Sequence, residues 1–138
     1  MDSFNVKHWS HLSPAQVIEW KELAPNFSPN ELASKGNRSL FIVKDALVAL
    51  QAVRDKWGGP IIVNSAYRDP AYNKLVGGVK NSKHISGIAF DLAIDNQEMG
   101  RELERIAIEC GFRGIGRYNT FIHIDKRPRR ASWGKWYV

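Results

Sequence analysis

The sequence predicts an α+β fold, a small and mainly antiparallel sheet packed with helices. Three observations predict it. Apolar residues recur at helical spacing between residues 40 and 57 and again between 99 and 110. Short β-branched runs, several with two-residue alternation, fill much of the second half. Helices come first and mixed strands follow, without the strand–helix alternation that builds a parallel sheet. A chain of 138 residues, 43% hydrophobic and 25% charged, fits one domain spanning residues 1–138 and can close a single core.

The elements follow in order. Ser13-Pro14-Ala15-Gln16 combines an N-cap, a Pro at the first helical position and a Gln three residues after the cap. Ser28-Pro29-Asn30-Glu31 repeats the device, so two short helices are expected in the first 35 residues. A longer helix is expected from about Leu40 to Trp57, with Ile42, Val43, Ala46, Leu47, Leu50 and Val53 on one face. Gly58-Gly59-Pro60 ends it, and Pro60–Asn64 reads as a short strand. Residues 65–82 read as loop, with a tight turn at Gly77-Gly78. Ile88–Ile94 reads as a buried strand. Asp95 to Glu98 open a helix lined by Met99, Leu103, Ile106, Ala107 and Cys110, and Gly111 suits its C-terminal cap. Phe112–Ile124 reads as strand, turn, strand.

Composition excludes several classes. No apolar run approaches the ~20 residues of a membrane span. The start, Met1 to Trp9, lacks the charged-then-apolar pattern of a signal peptide, so the expectation is a protein made without a leader. Cys110 is alone, which rules out an internal disulfide and a cysteine-rich zinc site, and it is expected to be a buried structural thiol. Residues 113–138 hold seven basic side chains against one acid, Asp125, and so account for the whole +6 of the chain. With Trp133, Trp136 and Tyr137 interleaved, this end could grip an anionic polymer; the plainer reading is a solvated basic face with aromatics on the core. No nucleic-acid-binding signature accompanies it, so nucleic acid is not an expected partner.

The chemistry concentrates in Ser82-Lys83-His84-Ile85-Ser86-Gly87-Ile88-Ala89-Phe90-Asp91 and in Phe121-Ile122-His123-Ile124-Asp125. Two imidazoles and a carboxylate suit zinc, and a catalytic zinc site keeps three protein ligands and one open position. Other first-row ions accept the same set. Asp91 projects from the strand 88–94, and alternation puts Phe121, His123 and Asp125 on one strand face. Neighbouring strands would bring Asp91 and His123 together, with His84 closing the site from its loop. Taken singly, each of these residues is more often structural.

The run Ser65-Ala66-Tyr67-Arg68, then Asn73, Gly77-Gly78, the string from Ser82 to Asp91 and the segment from Phe121 to Asp125 resemble the zinc D-Ala-D-Ala carboxypeptidase family of peptidases, family M15. The likeness spans about residues 27–134 and is strongest to members carried by bacteriophages and prophages. It implies a fold shared with the hedgehog signalling domain, one zinc ion, and cleavage of peptide bonds in the stem or cross-link of peptidoglycan by a carboxypeptidase or an endopeptidase. Carried over by residue, His84, Asp91 and His123 match the zinc ligands. Arg68 matches an arginine that engages a substrate carboxylate or the polarised carbonyl, a role suited to a rigid, permanently charged fork. The alternative for Arg68 is an ion pair with Asp69. Ser82 would orient the loop or a ligand and Tyr67 would line the cleft as substrate-binding residues, or both are structural.

One departure stands out. Many relatives place a carboxylate three residues before the last histidine, to act as base. This chain has Thr120 there and Asn119 beside it. Asp125 is the nearest carboxylate, either the base or a partner that orients a ligand. Asp69 is another that the fold could bring in. The expected function is a zinc-dependent peptidase of phage or prophage origin, an endolysin or part of a virion, acting at the wall after lysis or from the particle. The alternative is a non-catalytic zinc-fold component that binds the wall. Neither oligomeric state nor host follows from the residues.

Overall fold

The computed structural model describes Phe4 and residues 7–137. The expectation of a start without a leader falls largely on positions outside the described residues. In chain order the elements are β1 (Lys7–His8), a 3-10 turn (Trp9–His11), α1 (Pro14–Leu23), α2 (Pro29–Leu32), β2 (Ser39–Leu40), α3 (Lys44–Trp57), β3 (Val63–Ser65), α4 (Pro70–Leu75), β4 (Ala89–Ala93), α5 (Gln97–Glu109), β5 (Gly114–Arg117), β6 (Phe121–Asp125) and β7 (Ala131–Trp133). The architecture is α+β, as the sequence predicts. A five-stranded sheet runs in the order β3-β4-β6-β5-β7, antiparallel except for the β5–β7 pair, and β1 and β2 form a separate antiparallel pair.

Alternation along the strands divides the sheet into two faces. Phe90 and Leu92 of β4, Ile115 of β5, and Ile122 and Ile124 of β6 point into the core. Helices α3 and α5 pack on one another, and α5 covers β6. The inner stripe of α3, with Ala46, Leu47, Leu50 and Val53, is fully buried. Each such large side chain contributes about 1.5–3 kcal/mol. Both short N-terminal helices begin with complete capping boxes, Ser13 with Gln16 and Ser28 with Glu31. Gly58, at φ 77°, closes α3 in the left-handed conformation that an L side chain resists.

Four local expectations need correction. Helix α3 starts at Lys44, not Leu40. Leu40 pairs with Lys7, the Ile42 carbonyl accepts from Phe4, and Val43 N–H donates to Gly87, so residues 40–43 are held extended while Ile42 still reaches the core. The strand expected at Pro60–Asn64 lies at Val63–Ser65. The loop expected at 65–82 contains α4, capped by Asp69, whose carboxylate accepts from Tyr72 N–H, with Pro70 at the first position. Strand β7 was not foreseen; it lies in the basic end.

That basic end is not one solvated face. Arg117 pairs with Glu104 at 2.6 Å, and Trp136 donates to the same carboxylate at 2.8 Å while packing over Gly100. Arg127 turns inward to Asp125, whereas Arg129 and Arg130 are exposed. Cys110 is only half-buried, at the C-cap of α5, and burial pushes its thiol pKa up. Among the described residues, no helix is long and apolar enough to cross a membrane.

Candidate metal centre

The outer face of the sheet carries one row of residues across four strands. Asp91 of β4 is in register with His123 of β6, His123 with Gly116 of β5, and Gly116 with Trp133 of β7. His84 reaches the same place from the loop before β4. Its Nδ1 donates to the Ala66 carbonyl at 2.6 Å, and its Nε2 lies 3.2 Å from Asp91 Oδ1. His123 Nδ1 lies 2.9 Å from that same oxygen, and its Nε2 donates to Asp125 Oδ2 at 2.7 Å. The two rings meet edge to face, 5.1 Å apart. All three side chains are buried, and one ligand atom from each lies within 4.8 Å of the others.

These contacts test the fit to a metal. Each imidazole has its outward nitrogen committed as a donor, to Ala66 or to Asp125. A neutral ring then presents its lone pair inward, towards a carboxylate oxygen. Lone pair facing lone pair repels unless a cation sits between them. Ligands about 2.0–2.1 Å from a tetrahedral zinc stand roughly 3.3 Å apart, close to the spacings found here. The donor set fits zinc, with His84 Nε2, Asp91 and His123 Nδ1 as the available atoms.

With protons on the inward nitrogens instead, the same contacts become hydrogen bonds to Asp91, and the electrostatics describe that form. Burial alone would raise the Asp91 pKa, but hydrogen bonds and charge from His123 and His84 hold it well below the usual carboxylate range. Burial opposes charge on His123, yet Asp125 and Asp91 together keep its pKa above the ordinary imidazole value. Asp125 has no exposed surface. Arg127 clamps it through N–H and Nε to Oδ1, at 3.0 and 2.8 Å, and through Nη2 to Oδ2 at 2.7 Å. Burial again pushes its pKa up, and the hydrogen bonds from Arg127 and then His123 more than reverse this.

A cleft of about 530 Å³ opens over the trio. Arg68 lines it and is held by three contacts, Nε to Ser65 Oγ at 3.1 Å, Nη1 to Asn73 Oδ1 at 3.2 Å and Nη2 to Asp91 Oδ2 at 3.3 Å. A guanidinium has five N–H groups, so two remain for a ligand. Gly78 lets this arrangement close, because a Cβ there would stand 2.1 Å from Asn73 Oδ1 and 3.0 Å from Arg68 Nη1. Ser82 lines the cleft too, and its Oγ accepts from His84 N–H at 3.1 Å, steadying the loop that carries the ligand.

Other candidates lie elsewhere. Tyr67 is buried against the core, 6.4 Å from Phe41, and does not line the cleft. Asp69 is tied to Ser34 and to α4, so it neither pairs with Arg68 nor lines the cleft. Asn119 accepts from Gln97 outside the cleft, and Thr120 is exposed. Asp125 sits behind His123, at the nitrogen opposite the one facing Asp91. Among the described residues lining the cleft, Asp91 is the only acid.

Sequence reasoning missed Trp133, Arg127 and the two glycines of β5. Gly114 faces Asp125, where a Cβ would stand 2.1 Å from Oδ1, and Gly116 lies under the Trp133 ring, where a Cβ would stand 2.6 Å from the indole. The alternating glycines of Gly114-Ile115-Gly116, on the face opposite the apolar Ile115, were the available signal. Gly114→Ala is expected to cost about 1–3 kcal/mol, because Asp125 is pinned and cannot give way. The melting temperature should fall by several degrees; an unchanged value would show that the carboxylate relaxes.

Comparison with curated proteins gives no match. The family model described as Peptidase M15 matches residues 25–125, a span that carries Arg68, the three candidate ligands and Asp125. The chain therefore belongs to the M15 family of peptidases.

Proposed function

We propose that this metallopeptidase-family chain is, throughout residues 1–138, one zinc-dependent domain that hydrolyses peptide bonds in the stem or cross-link peptides of bacterial peptidoglycan. The observation that carries the reading is the trio itself. Two histidines, each tautomerically fixed by an outward acceptor, turn their free nitrogens on one buried carboxylate at the floor of a cleft. His84, Asp91 and His123 would hold the ion. When bound, zinc supplies Lewis-acid polarisation of a carbonyl and the acidification of a water molecule towards a pKa of ~7.

The chain's own residues do the rest. Asp125 keeps the proton on His123 Nε2 and so leaves Nδ1 free to bind; it is a positioning residue. Its burial and its clamp to Arg127 leave it no path to a proton in the cleft, so the role of base falls away from it. Arg68 offers its two unused N–H groups to a carboxylate, which suits a wall peptide with a free carboxyl group. Ser82 holds the His84 loop. Exposed Arg129 and Arg130, with Lys83 at the cleft, favour approach to an anionic envelope. This fits an endolysin or virion-borne enzyme of phage or prophage origin.

The lack of a second acid in the cleft favours one other reading, a zinc-fold wall-binding component without turnover. Incubation with purified peptidoglycan separates the two. The peptidase releases amino groups, loses this activity to a chelator and regains it with added zinc. Full zinc occupancy without release from any stem peptide would leave only the binding component.

A further inference from the structure

The wall of the cleft beyond His123 is aromatic and tied together by polar contacts. Tyr118 follows β5 and keeps the parity of Gly114 and Gly116, which puts it on the outer face. Its N–H donates to the Phe121 carbonyl at 3.1 Å and closes the turn into β6. Its ring stacks on Phe121, with centroids 4.2 Å apart and planes 8° from parallel. Trp133 Nε1 donates to Tyr118 Oη at 2.9 Å. The Trp133 ring in turn lies 5.2 Å from the His123 ring, beneath the Arg127 guanidinium at 5.0 Å.

An indole N–H can only donate, so Tyr118 Oη is the acceptor in this pair. The phenol's own proton is turned elsewhere, and among the described residues no acceptor takes it. Tyr118 lines the same cleft as His84, Asp91 and His123, on the side of the trio away from Arg68. Tyr118 is exposed at the cleft, so this proton is available to a ligand bound there. Stacking and the indole contact fix the ring beforehand, and such a fixed donor contributes most where charge develops during reaction.

Resting on the peptidase reading above, we propose that Tyr118 is a further catalytic residue. Its hydroxyl donates a hydrogen bond to the peptide's carbonyl oxygen as negative charge builds there. Trp133 is the positioning residue that aims it.

Tyr118→Phe keeps the stacked ring and removes only the donor. With zinc-loaded protein and soluble muropeptides, kcat is expected to fall about 10²- to 10³-fold, with KM and zinc content nearly unchanged. A phosphinic pseudodipeptide, in which a tetrahedral anionic group replaces the scissile amide of Ala-Ala, should bind the variant weaker by a similar factor in calorimetry, since it mimics the charged state. Trp133→Phe should lower kcat less, and the double variant should be no slower than Tyr118→Phe, because Trp133 acts through Tyr118. Equal kcat and equal phosphinate binding in wild type and Tyr118→Phe would overturn the proposal while leaving the peptidase reading intact. A double variant slower by the product of the single effects would overturn the role given to Trp133. A wild type that neither cleaves muropeptides nor binds the phosphinate removes both readings together.

Discussion

His84→Ala is expected to abolish metal binding and to lower peptidase turnover by about 10⁴-fold or more. The ring is held from behind by the Ala66 carbonyl and faces Asp91 with Nε2. Its loss leaves two donor side chains where a catalytic zinc requires three. The orphaned Ala66 carbonyl costs about 1–3 kcal/mol, less than the whole stability of a domain, so the fold should survive. Zinc analysis after dialysis should find the variant empty beside a loaded wild type, with far-ultraviolet circular dichroism unchanged. One zinc per chain and wild-type turnover in the variant would remove His84 from the ligand set. The size of the effect follows from what the ion supplies, because no side chain of the cleft replaces an acidified water, and a hydrogen bond to the carbonyl is a weaker substitute for a Lewis acid.

The strands that carry the site were legible because their two-residue alternation is strict. Phe121, His123 and Asp125 alternate with Ile122 and Ile124, and the structure puts the isoleucines in the core and the others together on the opposite face of the sheet. The string from Ser82 to Asp91 was legible through its spacing and resemblance. What could not be read was which atom of each ring is free. That depends on Ala66 and Asp125, contacts made only once β6 lies beside β4 and the His84 loop folds back over β3. Tyr67 shows the opposite failure. It adjoins Arg68 in sequence, but extended backbone sends neighbours to opposite sides, so one reaches the cleft and the other the core. Helix α4 was missed despite a clear Asp69-Pro70 start because six residues hold too little apolar periodicity to register. The support from β7 is a long-range parallel pairing, and nothing local in Ala131-Ser132-Trp133 announces it.

Asp125→Asn is expected to weaken zinc binding by about 10- to 100-fold while leaving turnover near wild type once zinc is saturating. The carboxylate accepts from His123 Nε2 and Arg127 Nη2 with one oxygen, and from Arg127 N–H and Nε with the other. An amide has one acceptor and one donor end. If the NH2 group takes the Oδ1 position, it meets two Arg127 donors. If it takes the Oδ2 position, it meets Arg127 Nη2, and His123 must move its proton to Nδ1 and lose the lone pair that faces Asp91. Either arrangement strains the clamp, and a stability loss of about 1–3 kcal/mol should accompany it, since Asp125 is fully buried. The zinc dependence of activity distinguishes the two roles open to this residue. A positioning residue yields a curve displaced to higher zinc with its plateau kept. A base yields a plateau lowered by about 10²-fold or more at every zinc concentration. The geometry favours the first outcome, because the Asp125 oxygens lie behind the His123 ring and beneath Arg127, with no surface exposed to the cleft.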